Sequence, residues 1–166
     1  MLAEWQFHLP MRAVSRLGIA DAFARHGEGA VRDRYPPLLR ALEDRQVEGF
    51  LMGFVDLVFT HDDRWYVVDW KSNHLGNDVA AYDDTALIAA MCEHHYVLQY
   101  HLYVLALHRY LRQRVRGDDY DIHFGGACYG FLRGIRAGSP RGWYVDRPPL
   151  ALIAALEEMM LEAAAA

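Results

Sequence analysis

The chain has 166 residues, 53% of them hydrophobic and 23% charged, with a formal net charge of −5. That length supports one domain with its own core, and the balance is that of a globular chain, not a disordered one. The acidic sum excludes a protein that holds nucleic acid by overall charge, so any phosphate contact must come from local patches or bound cations.

Glu4 to Leu9 is expected to form a short strand stopped by Pro10. Arg16 to His26 has helical spacing through Leu17, Ala20, Phe23 and Ala24, with Ser15 as N-cap and Gly27 as stop. Gly27 to Pro37, rich in Gly, Pro and charge, is expected to be a loop. Val47 to Phe59 is the strongest strand candidate and Arg64 to Trp70 a second, separated by the polar turn His61, Asp62 and Asp63. Ser72 to Asn77 is expected to be a loop, and Asp83 to Glu93 a helix with Asp83 or Asp84 at its N-terminus. Val97 to Gln113 is expected to be a longer helix, largely buried because it is apolar until Arg109. Phe124 to Leu132 is expected as a strand, Gly134 to Gly142 as turns, Leu150 to Leu161 as an amphipathic helix, and Ala163 to Ala166 as its fraying end. The order predicts an α/β fold around a small mixed sheet.

The two cysteines, Cys92 and Cys128, lack zinc-type spacing, which points to free thiols in the reducing cytoplasm. Glu4 and His8 make the start unlike a signal peptide, and no apolar run reaches the roughly 18 residues that would span a membrane.

Three charged residues interrupt segments that otherwise look like core strands: Asp56, Asp69 and Lys71. Such residues are depleted in strand interiors, and a broken local rule tends to mark function. A hairpin turning between Asp62 and Asp63 sets His61 opposite Arg64. The same register sets Asp56 opposite Asp69, their Cβ atoms roughly 5 Å apart. Two carboxylates so placed repel unless a cation lies between them, and Mg²⁺ takes oxygen ligands of this kind. A one-residue bulge would break the register. Lys71 shares a face with Asp69, about 6.6 Å along the strand, where its charge can orient a metal-held water or stabilise a phosphate.

Gly53, Phe54, Val55 and Asp56, followed by Asp69, Trp70 and Lys71, resemble the D…(D/E)-x-K signature of the PD-(D/E)XK nuclease superfamily. The wider match is closer. The segments Gly53 to Phe59, Asp69 to Gly76, Leu98 to Tyr103, Ala106 to Leu111 and Phe124 to Gly126 resemble the C-terminal nuclease domain of RecB-type exodeoxyribonuclease V subunits. The resemblance runs from about Glu4 to the final helix, and implies a restriction-endonuclease-like core: a small mixed sheet flanked by helices.

By that resemblance, Asp56 and Asp69 are Mg²⁺ ligands, the main-chain carbonyl of Trp70 is a further ligand, and Lys71 is catalytic. The family's Gln-Tyr motif falls on Gln99 and Tyr100, which would orient the site or contact DNA, though Gln99 could instead cap the long helix. Glu4 falls where related nucleases carry an acidic residue on the first strand. The family also has a metal-ligand histidine on an upstream helix. No equivalent helix precedes the first strand in residues 1–166, so the chain is expected to be a single RecB-type nuclease domain lacking that helix and the helicase domains. The resemblance implies DNA ends as substrate, single- or double-stranded, with RecC- and RecD-type subunits and a RecA-type recombinase as partners in double-strand break repair.

Three functions compete: a metal-dependent DNase in a helicase–nuclease assembly, a non-catalytic docking module for a RecA- or RecC-type partner, and an unrelated α/β protein with a chance D-x-K. Other groups carry their own alternatives. His94, His101 and His108 recur every seven residues and could form a second metal site or a polar stripe. His61 and His74, in loops near the proposed site, could contact DNA. Arg109, Arg112, Arg114 and Arg116 could bind phosphate, or form a solvated helix end or a subunit contact. Tyr96, Tyr100 and Tyr103 are expected in the core or groove wall.

Overall fold

The computed structural model describes residues 2–43 and 47–161. Five strands lie side by side in chain order: β1 (Leu2–Val14), β2 (Val47–His61), β3 (Arg64–Lys71), β4 (Phe124–Phe131) and β5 (Trp143–Asp146). Neighbours are antiparallel except β3 and β4, which are parallel. The helices are α1 (Arg16–His26), α2 (Gly29–Ala41), α3 (Asp84–Glu93), α4 (Tyr96–Arg114), α5 (Tyr120–His123) and α6 (Leu150–Met160). This is the α/β arrangement around a mixed sheet that the order of elements predicts. The expectation for the tail, Ala163 to Ala166, lies outside the described residues.

The β2–β3 hairpin has the predicted register, from His61 opposite Arg64 to Leu57 opposite Val68. Asp62 and Asp63 form its two-residue turn with φ of 48° and 59°. Both central residues at positive φ are what a type I′ turn requires, and its twist matches that of the strands. Strand β3 is interior to the sheet, and Val67, Val68 and Asp69 are buried in succession. A strand covered on both faces loses the in–out alternation of an exposed one.

Two caps follow the sequence closely. Ser15 Oγ accepts the Gly18 N–H at 3.1 Å, and Asp83, rather than Asp84, caps α3 by accepting the Ala86 N–H at 2.9 Å. Each satisfies an N–H left without an intrahelical partner. Helix α4 buries Val97, Tyr100, Val104, Leu107 and Leu111 at helical spacing, and packs on β1, β3 and α6.

Three expectations are corrected. Strand β1 does not stop at Pro10, which sits opposite Phe50 and inside the strand. As an edge strand, β1 tolerates a residue without an N–H where that side faces away from the ladder. Gly27 to Pro37 is not a loop: α2 passes through Pro36 and Pro37. Its Val31, Tyr35 and Leu39 repeat at four-residue spacing and are buried, with Tyr35 edge-on to Phe23 at 5.1 Å. Burial of that face outweighs two lost helical N–H donors. The short strand β5, after the turns, was not foreseen; it adds a second edge beside β4.

The expected histidine stripe does not converge on a site. His101 is 1% exposed, with Phe23 and Tyr100 against its ring. Its Nδ1–H donates to the Val97 carbonyl at 2.7 Å, leaving Nε2 buried without a partner. His94 stacks on Tyr96 and His108 stands edge-on to Tyr120. Burial pushes His101 down to about 3, so it is neutral in the folded protein.

Two measurements check these features. Leu39→Ala is expected to cost about 2–5 kcal/mol, as a buried leucine does, whereas Leu42→Ala, at an exposed position, should change stability by less than about 0.5 kcal/mol. Urea midpoints with unchanged slopes compare the two; equal effects would contradict the packed helix. For His101, the unfolded chain gains a proton below about pH 6.5 that the folded one refuses. Its share of stability is present above that pH and declines as pH falls toward 3. Between pH 5.5 and 4.5 the folding equilibrium should weaken about ten times more in the parent than in His101→Phe. The His101 ring should show no NMR titration between pH 5 and 8.

Candidate active site

The hairpin and the central strand bring Asp56, Asp69, Trp70 and Lys71 together. The β2–β3 ladder ends at Leu57 opposite Val68, one pair short of the two aspartates. There the Asp56 carboxylate takes over: its Oδ2 accepts the Trp70 N–H at 2.8 Å. Burial along β2 slips at the same point, from Val55 on one side to Val58 on the other, with Asp56 and Leu57 half-buried between them. Glu4, between the pairs Ala3–Leu57 and Trp5–Val55, lies across from Asp56, exposed and with φ of 51°. The sheet is thus irregular on both sides of Asp56, which turns its carboxylate toward β3.

Asp69 is 5% exposed. Burial raises its pKa, the Lys71 ammonium opposes that rise, and the nearby Asp56 charge adds to it. Asp69 Oδ2 is ion-paired with Lys71 Nζ and receives no well-directed hydrogen bond. The pair of negative charges is felt widely: Asp56 and Asp69 both add to the upward shifts that burial causes at Tyr103 and Tyr129.

Lys71 is held from several sides. Its Nζ donates to Gln99 Oε1 at 2.9 Å and lies 4.0 Å from the Tyr96 ring centre and 5.1 Å from that of Tyr129. Ring faces attract a cation, more strongly once it is removed from water. Gln99 Oε1 also accepts the Tyr129 hydroxyl at 3.0 Å. Gln99 therefore does not cap the helix: its carbonyl oxygen gathers two donors beneath the ion pair.

Tyr100 is placed elsewhere. It is fully buried, and its hydroxyl donates to Asp146 Oδ2 at 2.5 Å and lies 3.2 Å from that of Tyr144. That burial removes it from DNA, and its link to the site is a ring contact with Tyr129 at 5.9 Å. The tyrosine that shares the Gln99 face is Tyr103, where the Gln99 side chain opposes the rise in pKa that burial causes. The spacing of four residues on one helix was the available signal. Tyr129 had none, because it meets Asp69 only through the parallel β3–β4 register.

A divalent cation is the group this donor set suits. Among the described residues no three His, Cys, Asp or Glu side chains cluster to form a metal cage. Two carboxylates and a main-chain carbonyl nonetheless match a hard cation that keeps several waters. In a strand a residue's N–H and C=O point to the same side, so the Trp70 carbonyl projects toward β2, as its N–H does toward Asp56.

Residues 10–165 match the model of the PD-(D/E)XK nuclease superfamily. The chain is 46% identical over 157 residues to the RecBCD enzyme subunit RecB of Escherichia coli, a match covering 94% of this chain and 13% of that protein. It is 44% identical over 117 residues to the RecB subunit of Haemophilus influenzae, covering 70% of this chain and 10% of the relative. For the RecB subunit of Mycobacterium tuberculosis the figures are 40% over 127 residues, 72% and 12%. The chain thus spans about an eighth of the length of these relatives.

Proposed function

The chain belongs to the PD-(D/E)XK nuclease superfamily, and from that premise we propose that it hydrolyses DNA phosphodiester bonds with Mg²⁺, as the nuclease part of a RecBCD-type enzyme acting on DNA ends in double-strand break repair. The observation that carries this reading is the convergence of the Asp56 carboxylate on the Trp70 backbone beside the buried Asp69–Lys71 pair.

Asp56, Asp69 and the Trp70 carbonyl are the proposed ligands. When bound, the cation supplies a Lewis acid at the scissile phosphate and balances the two aspartates. The chain's own residues do the rest. Lys71 presents a fixed positive charge where negative charge builds on the phosphate oxygens, in a site with little water to screen it. Gln99 anchors the ammonium, Tyr129 anchors Gln99, and the Tyr96 ring supports the cation from beneath. Such preorganisation spares the reaction the cost of arranging charges as they develop. RecC- and RecD-type subunits are the proposed partners, following the RecBCD enzyme named for the relatives.

Cleavage of linear single-stranded DNA by this chain is expected to require Mg²⁺ and to stop with EDTA. Asp69→Ala and Lys71→Ala should each lower the rate by about 100-fold or more, with circular dichroism unchanged. Tyr129→Phe keeps the ring and loses one hydrogen bond to Gln99, so a loss of roughly tenfold is expected. Cleavage that persists at the parent rate in both Asp69→Ala and Lys71→Ala would overturn the reading.

A further inference from the structure

The net charge is −5, and the arginines that the sequence groups at the end of α4 are partly engaged within the fold. Arg109 and Arg112 both donate to Glu157, at 2.7 and 3.1 Å, and Arg114 lies over the Tyr110 ring. Gln99 to Arg109 is also about 15 Å along the helix axis, so this end stands away from the site.

The connection between β4 and β5 is different. Residues 131–142 contain Arg133, Arg136 and Arg141 and no acidic residue. None of the three pairs with a carboxylate among the described residues, and all are exposed. Arg141 donates to the Ala80 carbonyl at 3.0 Å and borders an open cleft with Asp83 and Asp84, which offset its charge. The Leu132 N–H donates to the Lys71 carbonyl at 2.9 Å, and Arg133 Nε donates to the Ser72 carbonyl at 3.0 Å. Arg133 is therefore fastened to the residue that follows Lys71. Arg136 leans on the Ile135 and Arg133 carbonyls, at 2.7 and 3.4 Å. Carbonyls orient a guanidinium without cancelling its charge, and Arg133 keeps its two terminal nitrogens for a further partner.

The loop is also anchored. Gly134 lies so close to the buried Tyr82 ring that a Cβ would meet it at 2.4 Å. Gly142 has φ of 80° and donates its N–H to the Tyr82 carbonyl at 3.2 Å. A guanidinium on an anchored loop loses less freedom when it binds than one on a mobile loop.

We propose that this connection is a phosphate-gripping rim beside the Lys71 strand, with Arg133 and Arg136 holding the sugar–phosphate backbone of a DNA strand next to the candidate site. The proposal rests on the nuclease reading for its substrate class. It accounts for an acidic chain acting on a polyanion: the positive charge is concentrated next to the Lys71 strand. The paired arginine fork suits phosphate oxygens, and such contacts position a strand without reading its sequence.

The test is binding of a fluorescent single-stranded oligonucleotide in EDTA, across a salt series, by the parent chain and its variants. Arg133→Gln combined with Arg136→Gln should weaken binding about tenfold at low salt. It should also flatten the slope of log K against log salt by about 1.4, or 0.7 for each lost single-strand phosphate contact. Arg133→Lys combined with Arg136→Lys should keep the parent slope, which separates charge from folding. Arg109→Gln combined with Arg112→Gln should change neither quantity. Unchanged affinity and slope in the first variant, a loss confined to the Arg109 and Arg112 pair, or no binding by the parent would each overturn the proposal. A parent chain that binds in this pattern but does not cut with Mg²⁺ would support the rim and count against the nuclease reading alone.

Discussion

A lysine and an aspartate buried side by side, next to a second aspartate, set the terms for the rest of this structure. Removing Asp69 and Lys71 from water costs several kcal/mol for each ion unless their geometry and remaining hydrogen bonds are satisfied. The surroundings meet that demand for the lysine. Gln99 accepts from Lys71, Tyr129 completes Gln99, and the rings of Tyr96 and Tyr129 lie against the ammonium. The helix that supplies Gln99, the strand that supplies Tyr129 and the hairpin that supplies both aspartates are the framework of the fold. Core and site share one set of contacts, so the excess negative charge of the two aspartates is what remains for a cation to balance.

Distortion of the sheet serves the same end. A regular β2–β3 ladder would pair backbone with backbone to the end of β3. Instead a carboxylate occupies the place of a carbonyl at Trp70, and Glu4 across the adjoining ladder adopts a left-handed backbone. Side chains that replace ladder partners are found where a sheet must aim a functional group, and Asp56 is the group aimed.

Much of this was legible in the sequence, for local reasons. The hairpin register follows from a two-residue turn and the alternation around it, so it could be read from spacing as far as Leu57 opposite Val68, one pair short of the two aspartates. Ser15 and Asp83 were readable as caps because a cap acts within three residues. The misreadings were tertiary. Pro36 and Pro37 suggested a loop, yet burial of Tyr35 and Leu39 carried the helix through them. Pro10 suggested a stop, but only an interior strand would have required one. Tyr100 came with the Gln-Tyr motif of the resemblance; its hydroxyl goes to Asp146, and the tyrosine four residues from Gln99 on the same helix is Tyr103. Tyr129 was unreadable in principle, because parallel register leaves no local mark in the chain.

The parallel pairing of β3 with β4 also governs how the domain comes into being. Lys71, Gln99 and Tyr129 are separated by 28 and 30 residues, and the β3–β4 crossover that carries α3, α4 and α5 must be in place before the three can meet. Contacts of such long sequence separation form slowly, because loop-closure entropy precedes any reward. The hairpin holding both aspartates can close early, from local interactions, while the seat for the lysine waits for β4 to dock. A growing or partly unfolded chain would carry the acidic half of the site without the assembled cationic half. On the proposed nuclease reading, the chemistry would then switch on only with completion of the fold.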